Sequence, residues 1–129
     1  MKIVATISRV LMGVVFVIFG ANLIVPFLPN PPLAPGAMKD FVTALGSTHY
    51  AMVVGFFQLV PGILLLINRY VPLALTVLAA ELVNILSFHG LVARSGLFPV
   101  PIVVVILWIL VFWRVRSSFA GILAPTKQE

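Results

Sequence analysis

The stretch GVVFVIFG, residues 13–20, contains no charged or polar side chain and lies inside a longer apolar run, residues 3–25. Its apolar residues follow one another without the period-two alternation that marks the strands of a membrane β-barrel. Backbone in lipid must satisfy its hydrogen bonds internally, so such a run predicts a membrane-spanning helix. Gly13 and Gly20 share one face of this helix and form a groove for a neighbouring helix.

The whole chain shares the apolar character of this stretch. Of its 129 residues, 62% are hydrophobic and 9% are charged, and the mean hydropathy is +1.23. A soluble domain is about half apolar and about a quarter charged, and one of this size could not hide so much apolar surface. The composition therefore predicts an integral membrane protein. The absence of cysteine excludes disulfides, thiolate metal sites and thiol–disulfide catalysis, including the four-helix quinone-linked thiol oxidases.

Crossing the hydrocarbon core requires about 20 apolar residues, with a range of about 17–25. The segments that qualify are residues 3–25, 50–67, 71–89 and 97–113. The expected fold class is therefore all-α, an integral membrane four-helix bundle that forms a single domain over residues 1–129. No clear cleavage site follows the first segment, so we expect a retained anchor rather than a signal peptide.

Basic residues divide unequally between the two ends of the expected bundle. One end carries Lys2, Arg9, Arg69, Arg114, Arg116 and Lys127, and the other carries Lys39 and Arg94. Because positive charges are retained on the cytoplasmic side, both termini are expected in the cytoplasm, with residues 114–129 as a cytoplasmic tail. The expected location is the bacterial cytoplasmic (inner) membrane, as a multipass protein. Basic residues scattered singly at helix ends favour the lipid bilayer, not nucleic acid, as the partner.

The first outer loop, residues 26–49, is the longest connection. It begins with PFLPNPPLAPG, which holds five of the ten prolines and is expected to be extended. The apolar residues that follow have the i, i+3, i+4, i+7 spacing of an amphipathic helix; they are Met38, Phe41, Val42 and Leu45. We therefore expect a short amphipathic helix on the outer surface, with a plain connecting turn as the alternative.

Polar residues within the expected spans are the candidates for function. A charged side chain at mid-helix costs about 2.5–3.5 kcal/mol, so such residues normally face the interior of a bundle. Glu81 lies near the middle of the third span, and Asn84 shares its helix face. Gln58 in the second span and Arg9 in the first are the candidate partners. These four residues form the predicted ligand or proton site.

Each of these residues has a structural alternative. Glu81 and Asn84 form a ligand or proton site, an interhelical hydrogen-bond clasp with Glu81 protonated, or an oligomer contact, so a homo-oligomer stays open. Arg9 either snorkels to the cytoplasmic surface or reaches Glu81. Gln58, one turn before Pro61, is either part of the site or structural glue between helices.

Three further polar residues, Asn22, His49 and His89, are expected at the outer rim of the bundle. His89 is rotated about 80° from Glu81 around an ideal helix and need not belong to the same patch. The two histidines leave a haem or metal pair open as a weaker alternative, since the sequence around them shows no pattern of supporting hydrogen-bond partners. The sequence therefore predicts no metal site, and it contains no recognisable catalytic motif.

Several segments occur along the chain in a recognisable order: Arg9 with GVVFVIFG, then PPLAPG, GILLLINRYVPLAL, VNILSFHG and VFWRVRSSFAGIL. Together they resemble the DoxX-like family of small bacterial four-helix membrane proteins. The resemblance implies a four-helix membrane fold; some relatives are linked to quinone-dependent redox complexes, and animal relatives act as membrane chaperones. Family members often carry an acidic residue in helix two near the position of Gln58, whereas this chain carries its acid at Glu81 in helix three.

The leading hypothesis is a non-enzymatic binding or accessory protein that uses Glu81, Asn84 and Gln58 to recognise another membrane protein, a lipid or a quinone-like molecule. The first alternative is a membrane subunit of a quinone-linked oxidoreductase complex, in which Glu81 or His89 handles the quinol proton. The second is a small proton-coupled carrier. Quinone is the one cofactor that the sequence leaves open, and a redox complex is a candidate partner.

Overall fold

A computed structural model of the protein describes residues 1–126 and is all-α, as the sequence predicted. Its five main helices are α1 (Lys2–Ile24), α2 (Ala37–Ser47), α3 (Tyr50–Leu66), α4 (Val71–Ser87) and α5 (Val100–Val115). A π-helical turn, Phe88–Val92, extends α4. Lys127, which the sequence assigned to the cytoplasmic end, lies outside the described residues.

The end of α5 differs from the sequence expectation. The tail expected from residue 114 instead continues through a 3₁₀ turn, Arg116–Phe119, into the short helix α6 (Ala120–Leu123). Phe119 explains this continuation, because its side chain is buried and lies 5.0 Å, centroid to centroid, from the ring of Phe112. Burying one aromatic ring holds the segment against the bundle.

Three helical segments are each long and apolar enough to cross a membrane. They are Lys2–Ile24, Val71–Val92 and Val100–Leu123, with mean hydropathies of 2.3, 1.9 and 2.0. Helix α3 meets the same criterion only together with α2, from which it is bent by 84°. Residues 1–126 therefore contain three candidate spans, or four when the bent pair counts as one, which is the pattern of a multipass membrane protein.

The short helix expected after the proline-rich loop is present as α2. Met38, Val42 and Leu45 are half-buried along one side, whereas Lys39 and Asp40 are exposed. The chain bends sharply where α2 gives way to α3, at His49, whose φ of 60° is left-handed. Because α2 is bent away from α3, the two helices cannot act as a single straight rod.

The closest helix contact joins α1 and α3 through glycines. A Cβ atom added to Gly20 would lie 2.6 Å from the backbone nitrogen of Leu59, and one added to Gly55 would lie 2.7 Å from the carbonyl oxygen of Gly20. A Cβ on Gly62 would lie 3.1 Å from the carbonyl oxygen of Gly13. The groove expected along Gly13 and Gly20 is thus filled by the backbone of antiparallel α3, which only glycine permits.

The remaining helices complete a ring in which α4 packs against α3 and α5 packs against both α4 and α1. We name the two ends of this ring by their residues. The basic end, where α1 begins and α5 ends, carries Lys2, Arg9, Arg69, Arg114 and Arg116. The open end carries residues 26–49. The largest fully buried side chains form the centre of the core: Met12, Phe16, Leu65, Leu75 and Leu78.

Gly20→Ala tests the contact between α1 and α3. The added Cβ meets backbone atoms, which cannot rotate away as a side chain would, so we expect a loss of about 1–3 kcal/mol in the free energy of unfolding. Thermal melting in detergent, followed by circular dichroism, measures the effect. Gly46→Ala is the matched control, since a Cβ at Gly46 meets nothing within 4 Å. A Gly20→Ala variant that melts like wild type would contradict the close backbone contact between α1 and α3.

Candidate functional site

The open end of the bundle contains a cavity of about 1460 Å³. Residues from α1, α3, α4 and α5 form its walls, and α2 lies at its rim. Most of the lining side chains are apolar. Its polar lining residues include Asn22, His49, Gln58, Glu81, Asn84 and His89. Every candidate site residue named from the sequence except Arg9 therefore lines one cavity, which exceeds the about 300–1000 Å³ of ordinary small-molecule sites.

Gln58 and Glu81 meet at the floor of this cavity. Their side chains come from α3 and α4, are 6% and 9% exposed, and are joined by a hydrogen bond of 3.4 Å from Gln58 Nε2 to Glu81 Oε2. Leu78, one turn below Glu81, is fully buried in the core. The pair therefore lies where the closed half of the bundle ends and the cavity begins.

Helical periodicity explains why Glu81 points inward. It follows Ala74 by two turns and Leu78 by one, and both of those residues are fully buried on the core face of α4. Among the described residues, no buried side-chain oxygen or nitrogen lacks a hydrogen-bond partner. The carboxyl oxygen of Glu81 that Gln58 does not bind is therefore reached from the cavity, where it is available to a ligand.

Asn84 lies one turn beyond Glu81 on α4, as its spacing predicted. Its side chain is exposed and lines the cavity wall. An amide presents both a donor and an acceptor. With Glu81 at the floor, it gives the cavity two polar positions one helical turn apart on the same face of α4.

Arg9 does not join this site. Its Nη1 donates a hydrogen bond to the carbonyl oxygen of Leu65, near the end of α3, and its side chain lines a smaller cavity at the basic end. Fully buried Met12 and Leu78 belong to the core between Arg9 and Glu81. Arg9 therefore pairs with a backbone carbonyl and not with Glu81, and the snorkelling alternative stays a prediction.

The rim histidines His49 and His89 line the same cavity as Glu81. His89 Nδ1 lies 2.8 Å from the carbonyl oxygen of Ile85, and a carbonyl only accepts, so Nδ1 carries the proton. The ideal-helix rotation had separated His89 from Glu81, but the cavity is wide enough to reach both faces of α4. Residues 1–126 contain no group of three metal-ligating side chains.

Asn22 has a structural role that the sequence reasoning missed. Its Oδ1 accepts hydrogen bonds from the backbone N–H groups of Phe27 and Leu28, both at 2.9 Å. These bonds fold the start of the proline-rich loop back over the end of α1. Asparagine often binds nearby backbone groups, but these bonds reach five and six residues along the chain, beyond the usual local pattern.

Helix α2 covers part of the open end. It contacts α3 and the π-helical turn, and the rings of Phe41 and Phe88 lie 5.5 Å apart, centroid to centroid. None of the residues of α2 is fully buried. A helix held by so few buried contacts is expected to open more readily than the core, which makes α2 a cover for the cavity.

Trp108 is a further residue that the sequence analysis did not single out. Its Nε1 donates a hydrogen bond of 2.9 Å to the carbonyl oxygen of Leu75, and its ring stacks on Phe112 at 5.1 Å. The bond ties α5 to α4 within the core. A tryptophan inside an apolar run signals such a bond, because a buried indole N–H requires an acceptor.

Comparisons of the chain with protein-family models, with curated proteins and with solved structures found no match. The resemblance to the DoxX-like family therefore stays a prediction. The function must be inferred from the cavity and the side chains that line it.

A double-mutant cycle on Gln58→Leu and Glu81→Leu tests the hydrogen bond between these two residues at the floor of the cavity. Each single variant leaves a buried polar group without its partner, so we expect each to lower the free energy of unfolding by about 1–3 kcal/mol. The double variant should lose less than the sum, with a coupling of about 0.6–1.7 kcal/mol, as for other hydrogen bonds between membrane helices. Reversible unfolding in detergent measures all three values.

The control cycle pairs Gln58→Leu with Thr76→Leu, an exposed residue of α4 whose hydroxyl donates to the carbonyl oxygen of Pro72. Those two changes should be additive, because the residues share no partner. Equal coupling in both cycles would show that the bond between Gln58 and Glu81 contributes nothing specific.

Phe41→Ala tests α2 as a cover. Removing the ring contact with Phe88 should speed hydrogen exchange of the α2 backbone amides and leave exchange in α1 unchanged, because the core does not depend on this contact. Mass spectrometry of the exchanged protein resolves the two helices. Phe56→Ala, which removes a half-exposed ring from α3, is the control. Unchanged exchange in α2 would contradict its role as a cover.

Proposed function

We propose that this chain is a multipass protein of the bacterial cytoplasmic membrane that binds a lipid-soluble ligand in the cavity at its open end. It acts as a binding or accessory protein rather than as an enzyme. The observation that carries the proposal is the hydrogen-bonded pair of Gln58 and Glu81 at the floor of a large, mostly apolar cavity. Sites for apolar ligands combine such walls with a few well-placed polar groups.

The proposed topology has four spans with both termini in the cytoplasm. The bent pair of α2 and α3 supplies the fourth span, in which α3 crosses most of the hydrocarbon core and α2 lies along the outer surface. The distribution of charge supports this orientation, since the basic end carries Lys2, Arg9, Arg69, Arg114 and Arg116, and the open end carries Lys39 and Arg94. The cavity then faces the outer leaflet.

The lining chemistry points to an amphipathic ligand with one polar group. The free carboxyl oxygen of Glu81 accepts a hydrogen bond from a ligand hydroxyl, and the amide of Asn84 donates one to a ligand oxygen. The apolar walls, which include Val54, Ile85 and Val104, contact the remainder of the ligand. Burying that apolar surface contributes most of the binding free energy, about 25 cal/mol per Å².

A quinone-linked redox subunit is the second candidate. Its support is that Glu81 and His89 line the same cavity, so a quinone head could exchange its proton with either group. A proton-coupled carrier has less support, because fully buried Met12, Leu65, Leu75 and Leu78 fill the bundle below the cavity. The resemblance to the DoxX-like family fits either of the first two functions and remains a proposal.

Mass spectrometry of lipid extracts from the purified, detergent-solubilised full chain tests the proposal. Wild-type protein and the control Thr76→Leu should retain a lipid-soluble molecule, and Glu81→Leu should retain about tenfold less of it, because one hydrogen bond to a charged or buried group is lost. Glu81→Gln should keep the bond to Gln58 and a normal melting temperature yet still retain less ligand.

These outcomes separate the hypotheses. Equal retention by wild type, Glu81→Gln and Glu81→Leu would overturn a ligand role and leave an interhelical clasp. A quinone as the retained molecule would favour the redox subunit. The melting temperature of each variant, measured alongside, distinguishes lost binding from lost folding.

A further inference from the structure

A second cavity lies at the basic end, on the far side of the core from Glu81. Its volume is about 350 Å³, at the small end of the about 300–1000 Å³ typical of ligand sites. The lining residues come from α1, from α5, from Asn68 in the turn between α3 and α4, and from Val71 at the start of α4. Neither the sequence reasoning nor the proposed function uses this cavity.

Three cationic side chains converge on this small volume. Lys2, Arg9 and Arg114 all line it, and no acidic side chain is among its described lining residues. Lys2 and Arg114 are exposed and Arg9 is half-buried. Like charges repel one another and an anion between them is attracted by all three, so the cavity has the charge of an anion site.

The cavity is also partly preorganised. Lys2 and Arg9 are two helical turns apart on one face of α1, and Arg114 approaches from the last turn of α5. The bond from Arg9 to the carbonyl oxygen of Leu65 fixes the guanidinium group in place. It leaves the other guanidinium N–H groups to bind a ligand. A fixed arginine loses less conformational entropy when it binds an anion than a free one does.

We propose that this cavity binds a phosphate group. Arginine and lysine together form strong, charge-assisted hydrogen bonds to phosphate oxygens. Val71, Val111 and Val115 give the cavity an apolar side that suits the glycerol and first acyl carbons of an anionic phospholipid, a common occupant of basic pockets between membrane helices. Free phosphate shares the same chemistry, so the experiment must distinguish the two sources.

The test uses the full chain in neutral detergent, titrated separately with short-chain phosphatidylglycerol, with short-chain phosphatidylcholine and with inorganic phosphate. Native mass spectrometry and the shift in melting temperature report binding. Lys2→Gln and Arg114→Gln should each weaken binding about fivefold, and their double variant about 25-fold, from the contribution of one basic residue near a lipid headgroup. Arg9 is left intact because it also supports α3.

Arg116→Gln is the matched control. It removes the same charge from the same end of the bundle, but Arg116 does not line the cavity, and its guanidinium lies over the ring of Trp113 at 4.4 Å. This variant should bind like wild type. If it weakens binding as much as Arg114→Gln does, the attraction is a general one to the basic end and the proposal is wrong.

The titrations show whether the bound phosphate group belongs to a lipid headgroup or is free phosphate. Variant-sensitive binding of phosphatidylglycerol, without binding of inorganic phosphate, identifies a lipid headgroup. Variant-sensitive binding of inorganic phosphate that also displaces the lipid identifies a site for free phosphate. Either result supports the phosphate site. No binding of either anion, or binding that Lys2→Gln and Arg114→Gln leave unchanged, overturns it.

Discussion

The contact between the backbones of α1 and α3 is the constraint on which the rest of the structure depends. Gly20 against Gly55, and Gly13 against Gly62, set both the distance between the two helices and their register. Gln58 lies three residues beyond Gly55, so this register determines the position along α4 that the side-chain amide of Gln58 reaches. At that position the amide donates a hydrogen bond to the carboxyl group of Glu81. A shift of one turn along the glycine contact would separate the two side chains by about 5.4 Å.

The packed core divides the protein into two cavities of different chemistry. Met12, Leu65, Leu75 and Leu78 fill the bundle between them. The larger cavity is mostly apolar and has a carboxyl group at its floor, whereas the smaller one is lined by three cationic side chains. The core separates the carboxyl group of Glu81 from these three cationic side chains. The two proposed binding events therefore depend on different residues and can be tested independently.

Helical periodicity was sufficient to predict the direction of a side chain where its neighbours lie on the same helix. Glu81 follows fully buried residues at intervals of one and two turns, so its inward direction could be predicted, as could the shared face of Asn84. It was insufficient where partners come from elsewhere in the chain. Arg9 pairs with a carbonyl 56 residues away, and His89 reaches a cavity whose width depends on how four helices splay apart.

The sequence by itself determined the all-α fold and the apolar spans, because lipid leaves the backbone no partners other than its own and helical hydrogen bonds are local. It also determined which side chains share a helix face, since that follows from 3.6 residues per turn. Only the tertiary structure decided that α2 bends by 84° from α3, that Gln58 rather than Arg9 meets Glu81, and that Lys2, Arg9 and Arg114 share a cavity. These outcomes depend on how closely whole helices approach, and that distance is fixed by contacts between residues far apart in the chain.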